Sequence, residues 1–172
     1  MTFDERCRTI QLILSDVDGV LTDGGISYDN QGIETKRFHV HDGMGIRLWR
    51  KAGYHFGIIT HRSSHIVKTR AAELGVDILR QGIDDKLTAM RGILDELEIT
   101  PAQVCYLGDD LPDLRVVQAV GLGVAVADAC EELRQAAHYV TAAPGGFGAV
   151  RETIERILKA QSRWEDLIQA YR

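Results

Sequence analysis

Leu12-Ile13-Leu14-Ser15-Asp16-Val17-Asp18-Gly19-Val20-Leu21-Thr22 is the stretch that decides the fold. It opens as a short apolar run, sets two carboxylates two residues apart, and turns on Gly19. An apolar run of this length closed by a glycine reads as a fully buried central strand. In an open parallel sheet, ligands bind in the crevice beyond the carboxyl ends of the strands. Two aspartates in a partly desolvated site there raise each other's pKa unless a cation neutralises them, and a hard, oxygen-seeking ion such as Mg2+ suits that task. Alone, the same residues also read as a strand-end turn, because Asp and Gly are common turn residues.

The chain on either side resolves this ambiguity. Ile10–Ser15 is the first strand; Ile26–Tyr28 and Ile33–Phe38 flank an Asp29-Asn30-Gln31-Gly32 turn and read as a β-hairpin. Asp42 precedes a helical pattern with Met44, Ile46, Leu48 and Trp49, ending near Gly53. Tyr54–Ile59 is a core strand ending in Thr60, a helix over Ser63–Leu74 stops at Gly75, and Asp77–Leu79 is a short strand. Asp84 or Asp85 caps a helix running to about Leu97, and Thr100-Pro101 restarts the chain. Val104–Leu107 is a strand ending in Gly108-Asp109-Asp110, followed by a helix over Pro112–Val120 and a strand over Gly123–Val126. A short helix (Glu131–Ala137), a short strand (His138–Val140) and a loop (Pro144–Gly148) lead to a last helix carrying Val150, Ile154, Ile157 and Leu158. Strands alternating with helices at this rhythm predict an α/β fold, a mostly parallel sheet with helices on both faces. The expected organisation is one domain over 1–172, with a hairpin insertion at about 23–38 and a C-terminal helix and tail at about 147–172.

A chain of 172 residues suits one domain with a sizeable core. Its net charge of -5 argues against nucleic-acid binding, which needs a basic face, but not against a small phosphorylated substrate. Cys7, Cys105 and Cys130 have no metal-like spacing, and Cys105 lies inside an apolar strand as a small core residue. Met1–Arg8 is charged, lacks an apolar signal region, and no stretch is long enough to cross a membrane, so no membrane partner and a cytoplasmic location are expected.

Four polar clusters fall at or just beyond predicted strand ends: Asp16/Asp18, Thr60, Lys86 and Asp109/Asp110/Asp113. DVDGV, IITHRS, the lysine of QGIDDK, and GDDLPD occur in that order, and together they resemble the four motifs of the haloacid dehalogenase (HAD) superfamily of phosphotransferases. Thr60 alone would be a cap, Lys86 a solvated helix residue and Asp113 a helix N-terminal charge. Their recurrence at one sheet edge favours chemistry. The resemblance implies a Rossmann-like HAD fold. It implies Asp16 as nucleophile forming an aspartyl-phosphate, and Asp18 as the acid, then base. It further implies Mg2+ held by the Asp16 carboxylate, the Asp18 carbonyl and Asp109, with Thr60 and Lys86 on the phosphoryl oxygens. Asp110 and Asp113 would orient Lys86 or metal-bound water.

DVDGVLTDGG with a short hairpin, FHVHDGMGIR, GDDLPDL, GVAVADA and GGFGAVRE are similar to the 3-deoxy-D-manno-octulosonate 8-phosphate (KDO 8-phosphate) phosphatase family. That resemblance implies a capless, Mg2+-dependent phosphatase of a sugar-acid phosphate in lipopolysaccharide synthesis. It also implies a homotetramer whose hairpins help close neighbouring sites. Substrate contacts would map onto His39, Val40, His41, Asp42, Gly43, Arg47, Arg62, Arg70 and Lys86, with arginine forks suited to the carboxylate. Three departures stand out: His61 where the family commonly has glycine, His41 where arginine is common, and Phe147 where a basic residue is common. A nine-carbon keto-sugar 9-phosphate, another small phosphoester, and a non-catalytic tetramerising homologue are the alternatives. A response-regulator receiver domain fits less well, because its phospho-accepting aspartate lacks a partner in the place of Asp18.

Overall fold

The computed structural model describes residues 1–172. Its centre is β1 (Leu12–Ser15), buried along its whole length, as an uninterrupted apolar strand must be. β1 pairs in parallel with β4 (His55–Ile59) on one side and β6 (Val104–Gly108) on the other. β5 (Ile78–Arg80), β7 (Leu122–Ala125) and β8 (Tyr139–Val140) complete a six-stranded, all-parallel sheet in the order β5-β4-β1-β6-β7-β8. The separate two-stranded hairpin pairs β2 (Ser27–Tyr28) with β3 (Glu34–Thr35). The chain leaves β1 toward β4 and β5 and then crosses back to β6. The switch in direction therefore falls between β1 and β6, where doubly wound sheets open a ligand crevice.

α1 (Phe3–Cys7), α2 (Val40–Lys51), α3 (His65–Leu74) and α7 (Ala149–Ala160) pack together on one side of the sheet. α4 (Lys86–Leu97), α5 (Leu114–Ala119) and α6 (Glu131–Ala136) pack together on the other. α8 (Trp164–Ile168) follows α7 and buries Trp164 and Leu167. One apolar core runs from Cys7 to Leu167, so both terminal helices share it with the sheet.

Local chemistry explains where the boundaries fall. Gly75 ends α3 in the left-handed conformation, φ 65°, that a glycine adopts without penalty. Asp85, rather than Asp84, caps α4. α2 starts at Val40, two residues before the expected Asp42, because the His39 ring accepts from the His41 amide at 3.3 Å. The helix expected over Pro112–Val120 divides into a 3-10 turn, Leu111–Asp113, and α5, with Asp113 turned back onto the strand end. α1 went unforeseen although Thr2 and Glu5 form a reciprocal capping box, a readable signal.

Candidate active site

Asp16 is the first residue beyond β1, and its amide still donates to Leu107 O of β6 at 3.0 Å. Its Oδ1 accepts from the Val17 amide at 2.6 Å and its Oδ2 lies 2.7 Å from Lys86 Nζ. Lys86, first residue of α4, has a side chain only 2% exposed and reaches Asp113 Oδ1 at 2.7 Å as well. Burial alone would lower the lysine pKa, but the carboxylates of Asp16 and Asp113 outweigh it and raise it.

Asp113 is a hub. Its Oδ1 also accepts from the buried Tyr106 hydroxyl at 2.7 Å, and its Oδ2 from the amides of Asp109 at 3.0 Å and Asp110 at 3.4 Å. A fully buried carboxylate is stable here because both its oxygens are satisfied. Its position also explains Gly108, where a Cβ would come 2.5 Å from Asp113 Cβ. Asp113, rather than the exposed Asp110, is the residue that meets Lys86.

Asp109 stands at the end of β6, half-buried beside Asp16 and Asp113, and no protein donor meets its carboxylate. Burial first, then the neighbouring Asp16 and Asp113 charges, push its pKa up to about 8. Asp16 is pushed up to about 6 by burial and Asp113, against the pull of Lys86. Oxygens of Asp16, Asp109 and Asp113 lie within 4.8 Å of one another. Because Asp113 is already saturated, Asp16 and Asp109 are the side chains of this group that could hold a hard cation, which would suit two underneutralised carboxylates. Gly19, φ 90°, lies tight against Asp109: a Cβ there would be 2.0 Å from Asp109 Oδ2. Gly145 in turn packs so closely on the Gly19 carbonyl that a Cβ would be 1.7 Å away.

Thr60 lies two residues beyond the last β1–β4 pair, buried, held by its amide to Arg80 O at 3.0 Å and its carbonyl from Ile83 N at 3.1 Å. Asp18 meets the hairpin. Lys36 Nζ bonds Asp18 Oδ1 and lies 3.3 Å from Glu34 Oε1; Arg62 Nη2 donates to Glu34 Oε1 at 2.8 Å and to the Tyr28 hydroxyl at 2.9 Å. Ser64, Arg62 and Lys36 together hold the Glu34 carboxyl below the usual carboxylate range despite its burial.

The remaining expected contacts gather elsewhere. Val40, His41, Gly43, Arg47 and Arg70 line a groove of about 540 Å³ with Arg151, and they share no bond with Asp16, Asp18 or Lys86. Arg70 is paired to Glu73 at 2.8 Å and lies close over α2, where a Cβ at Gly43 would meet its Nη2 at 2.5 Å. His39 adjoins the same region beside Phe38 and Arg70. Asp42 turns its carboxylate inward and accepts from Arg151 N at 2.8 Å, serving α7 as a cap supplied by α2; burial raises its pKa. Of the departures, His61 is exposed with Nδ1 3.3 Å from Ile83 O and 3.2 Å from Asp84, and Phe147 stacks under the Arg37 guanidinium at 5.7 Å. Sequence reasoning missed Lys36, Glu34 and Tyr106. The first two stand on a hairpin read as a bare insertion, and Tyr106 sits in a strand whose apolar run hid its hydroxyl.

A switch-point crevice lined by an aspartate pair, a buried lysine and a third aspartate defines the class. Residues 66–148 match the family of haloacid dehalogenase-like hydrolases. A KDO 8-phosphate phosphatase, KdsC, of Yersinia pestis is 48% identical over 161 residues, 94% of this chain and 86% of that protein. The KDO 8-phosphate phosphatase of Moraxella catarrhalis, crystallised with magnesium, phosphate and KDO, is 44% identical with TM-score 0.97, covering 98% of this chain and 97% of that one. The cobalt-bound enzyme of Haemophilus influenzae is 37% identical with TM-score 0.92, covering 96% and 97%. The chain belongs to the KDO 8-phosphate phosphatase family.

Proposed function

We propose that this chain is a Mg2+-dependent phosphatase that hydrolyses KDO 8-phosphate to the free sugar acid and phosphate. The observation that carries the reading is the Asp16–Lys86–Asp113 arrangement beside the unpartnered Asp109, combined with family membership over nearly the whole chain. Asp16, Asp109 and the Asp18 carbonyl would hold the cation, which would neutralise negative charge as the nucleophile meets the phosphoryl group.

In this reading an Asp16 carboxylate oxygen attacks phosphorus, and the bond from phosphorus to the sugar oxygen breaks. The departing oxygen takes the proton of Asp18. Water then attacks the same phosphorus and gives a proton back to Asp18; the bond to Asp16 breaks and phosphate leaves. Lys86 and Thr60 donate to the phosphoryl oxygens, and Asp113 fixes Lys86 between itself and Asp16. Arg62 is assigned to the substrate at the site mouth, and Val40, His41, Gly43, Arg47 and Arg70, which line the groove, to the sugar acid; the inward-turned Asp42 supports that groove through α7 and does not face the ligand. Because that groove is separate from Asp16 within one chain, we place it against a neighbour's site in a homotetramer. The exposed apolar side chains of Ile26, Tyr28 and Ile33 on the hairpin support this association. Residues 1–172 would act as one phosphatase domain with the hairpin in place of a cap.

The test is phosphate release with Mg2+ from KDO 8-phosphate, nine-carbon keto-sugar 9-phosphates and hexose phosphates. Preference for the first is expected, with Asp16→Asn inactive and still folded; an active Asp16→Asn eliminates it as nucleophile. Light scattering that finds only monomer would remove the shared-site assignment.

A further inference from the structure

We propose that Lys36 is a positioning residue for the reaction, acting through Asp18; this rests on the phosphatase reading above. Lys36 follows β3, yet its side chain is only 1% exposed, a rare state for lysine that requires a paired charge. Its partners are Asp18 Oδ1 and, at 3.3 Å, Glu34 Oε1. Arg62 closes the arrangement: Nη2 bonds the same Glu34 oxygen at 2.8 Å, while Nε stands 3.7 Å from Asp18 Oδ2 and makes no hydrogen bond.

The two Asp18 oxygens are thus unlike. Oδ1 is anchored by a buried ammonium, and Oδ2 has no hydrogen-bond donor within reach in the chain. A carboxyl that must hand a proton to one atom works best when its other oxygen is fixed, because misplacement by about 1 Å can cost on the order of 100-fold. The anchor is carried by the hairpin. Tyr28 on β2 and Glu34 on β3 bind Arg62, and Glu34 also takes the Ser64 hydroxyl at 2.6 Å, so hairpin docking and Asp18 orientation are one event. Lys36 keeps its place in the chain's own site and orders the donor without touching the scissile bond.

Leaving groups separate positioning from general damage. Proton donation matters greatly for a sugar alkoxide and little for 4-nitrophenolate, which departs unaided. The experiment compares kcat/KM for the sugar phosphate that the wild-type protein cleaves fastest with kcat/KM for 4-nitrophenyl phosphate, in Lys36→Met and Lys36→Arg. Expected for Lys36→Met is a fall of about 30-fold on the sugar phosphate and less than about threefold on the aryl ester, with Lys36→Arg regaining much of the former. Lys36→Gln carries the same comparison where methionine at this buried position unfolds the hairpin. Equal losses on both esters, or no loss on either, overturn the assignment while leaving the phosphatase reading intact. Wild-type protein that releases no phosphate from any ester overturns both.

Discussion

Asp109→Asn in metal-free protein is expected to stabilise the fold while abolishing activity. The wild-type carboxyl titrates at about 8 in the fold against an ordinary value of 3.8, because burial and the charges of Asp16 and Asp113 disfavour its ionised form. The folded state therefore binds a proton that the unfolded state releases. Stability falls as pH rises through this interval, from 3.8 toward about 8, and levels off above it. At pH 7 the part of this interval already crossed, upward from 3.8, corresponds to about 4 kcal/mol. Solvent screening of a half-buried group reduces this to about 2 kcal/mol. Asparagine carries no such penalty and forfeits no hydrogen bond, since no protein donor meets the Asp109 side chain. For a chain of this size, that difference raises the melting temperature by about 4–8 °C. Thermal unfolding by circular dichroism in EDTA at pH 5 and pH 8 is the assay. The variant should lose less stability between the two, and added Mg2+ should raise the wild-type melting temperature but leave the variant unmoved. A metal-free variant no more stable than wild type at pH 8 would refute the electrostatic account of this site.

Two further perturbations probe its framework. Gly19→Ala, which would place a Cβ 2.0 Å from Asp109 Oδ2 on a φ 90° backbone, should cut turnover by about 100-fold and weaken Mg2+ dependence; near-normal kinetics would show that the loop relaxes freely. Asp42→Ala should cost about 1 kcal/mol in urea unfolding by uncapping α7, whereas Asp42→Asn, which keeps the acceptor for Arg151 N, should not; equal stability of the alanine variant would remove the cap assignment.

Much of this was legible in the chain because the signals were local. The apolar run before Asp16, Gly75 after α3 and Asp85 before α4 each announce an element within a few residues. Lys86 and Asp113 were named from motif order, but that they meet depends on packing between α4 and the turn after β6. Lys36 was invisible for a related reason: a lysine four residues beyond a four-residue turn has the sequence context of a solvated side chain, and only docking onto Asp18 buries it. The groove around Arg47 and Arg70 marks the opposite limit, since a resemblance supplied residues whose distance from Asp16 no spacing could reveal.

The switch between β1 and β6 also sets a timetable. Asp16 leaves the ribosome early, but β6 and Asp109 follow only after β4, β5 and their helices have been made. Until β6 slides in beside β1, the nascent chain has one half of the proposed cation site, and non-local pairing of this kind is slow to form. On the proposed roles, the earlier segment can neither hold a metal with both carboxylates nor present Asp16 in its assembled surroundings. Catalytic competence thus arrives late in synthesis, as a by-product of strand order.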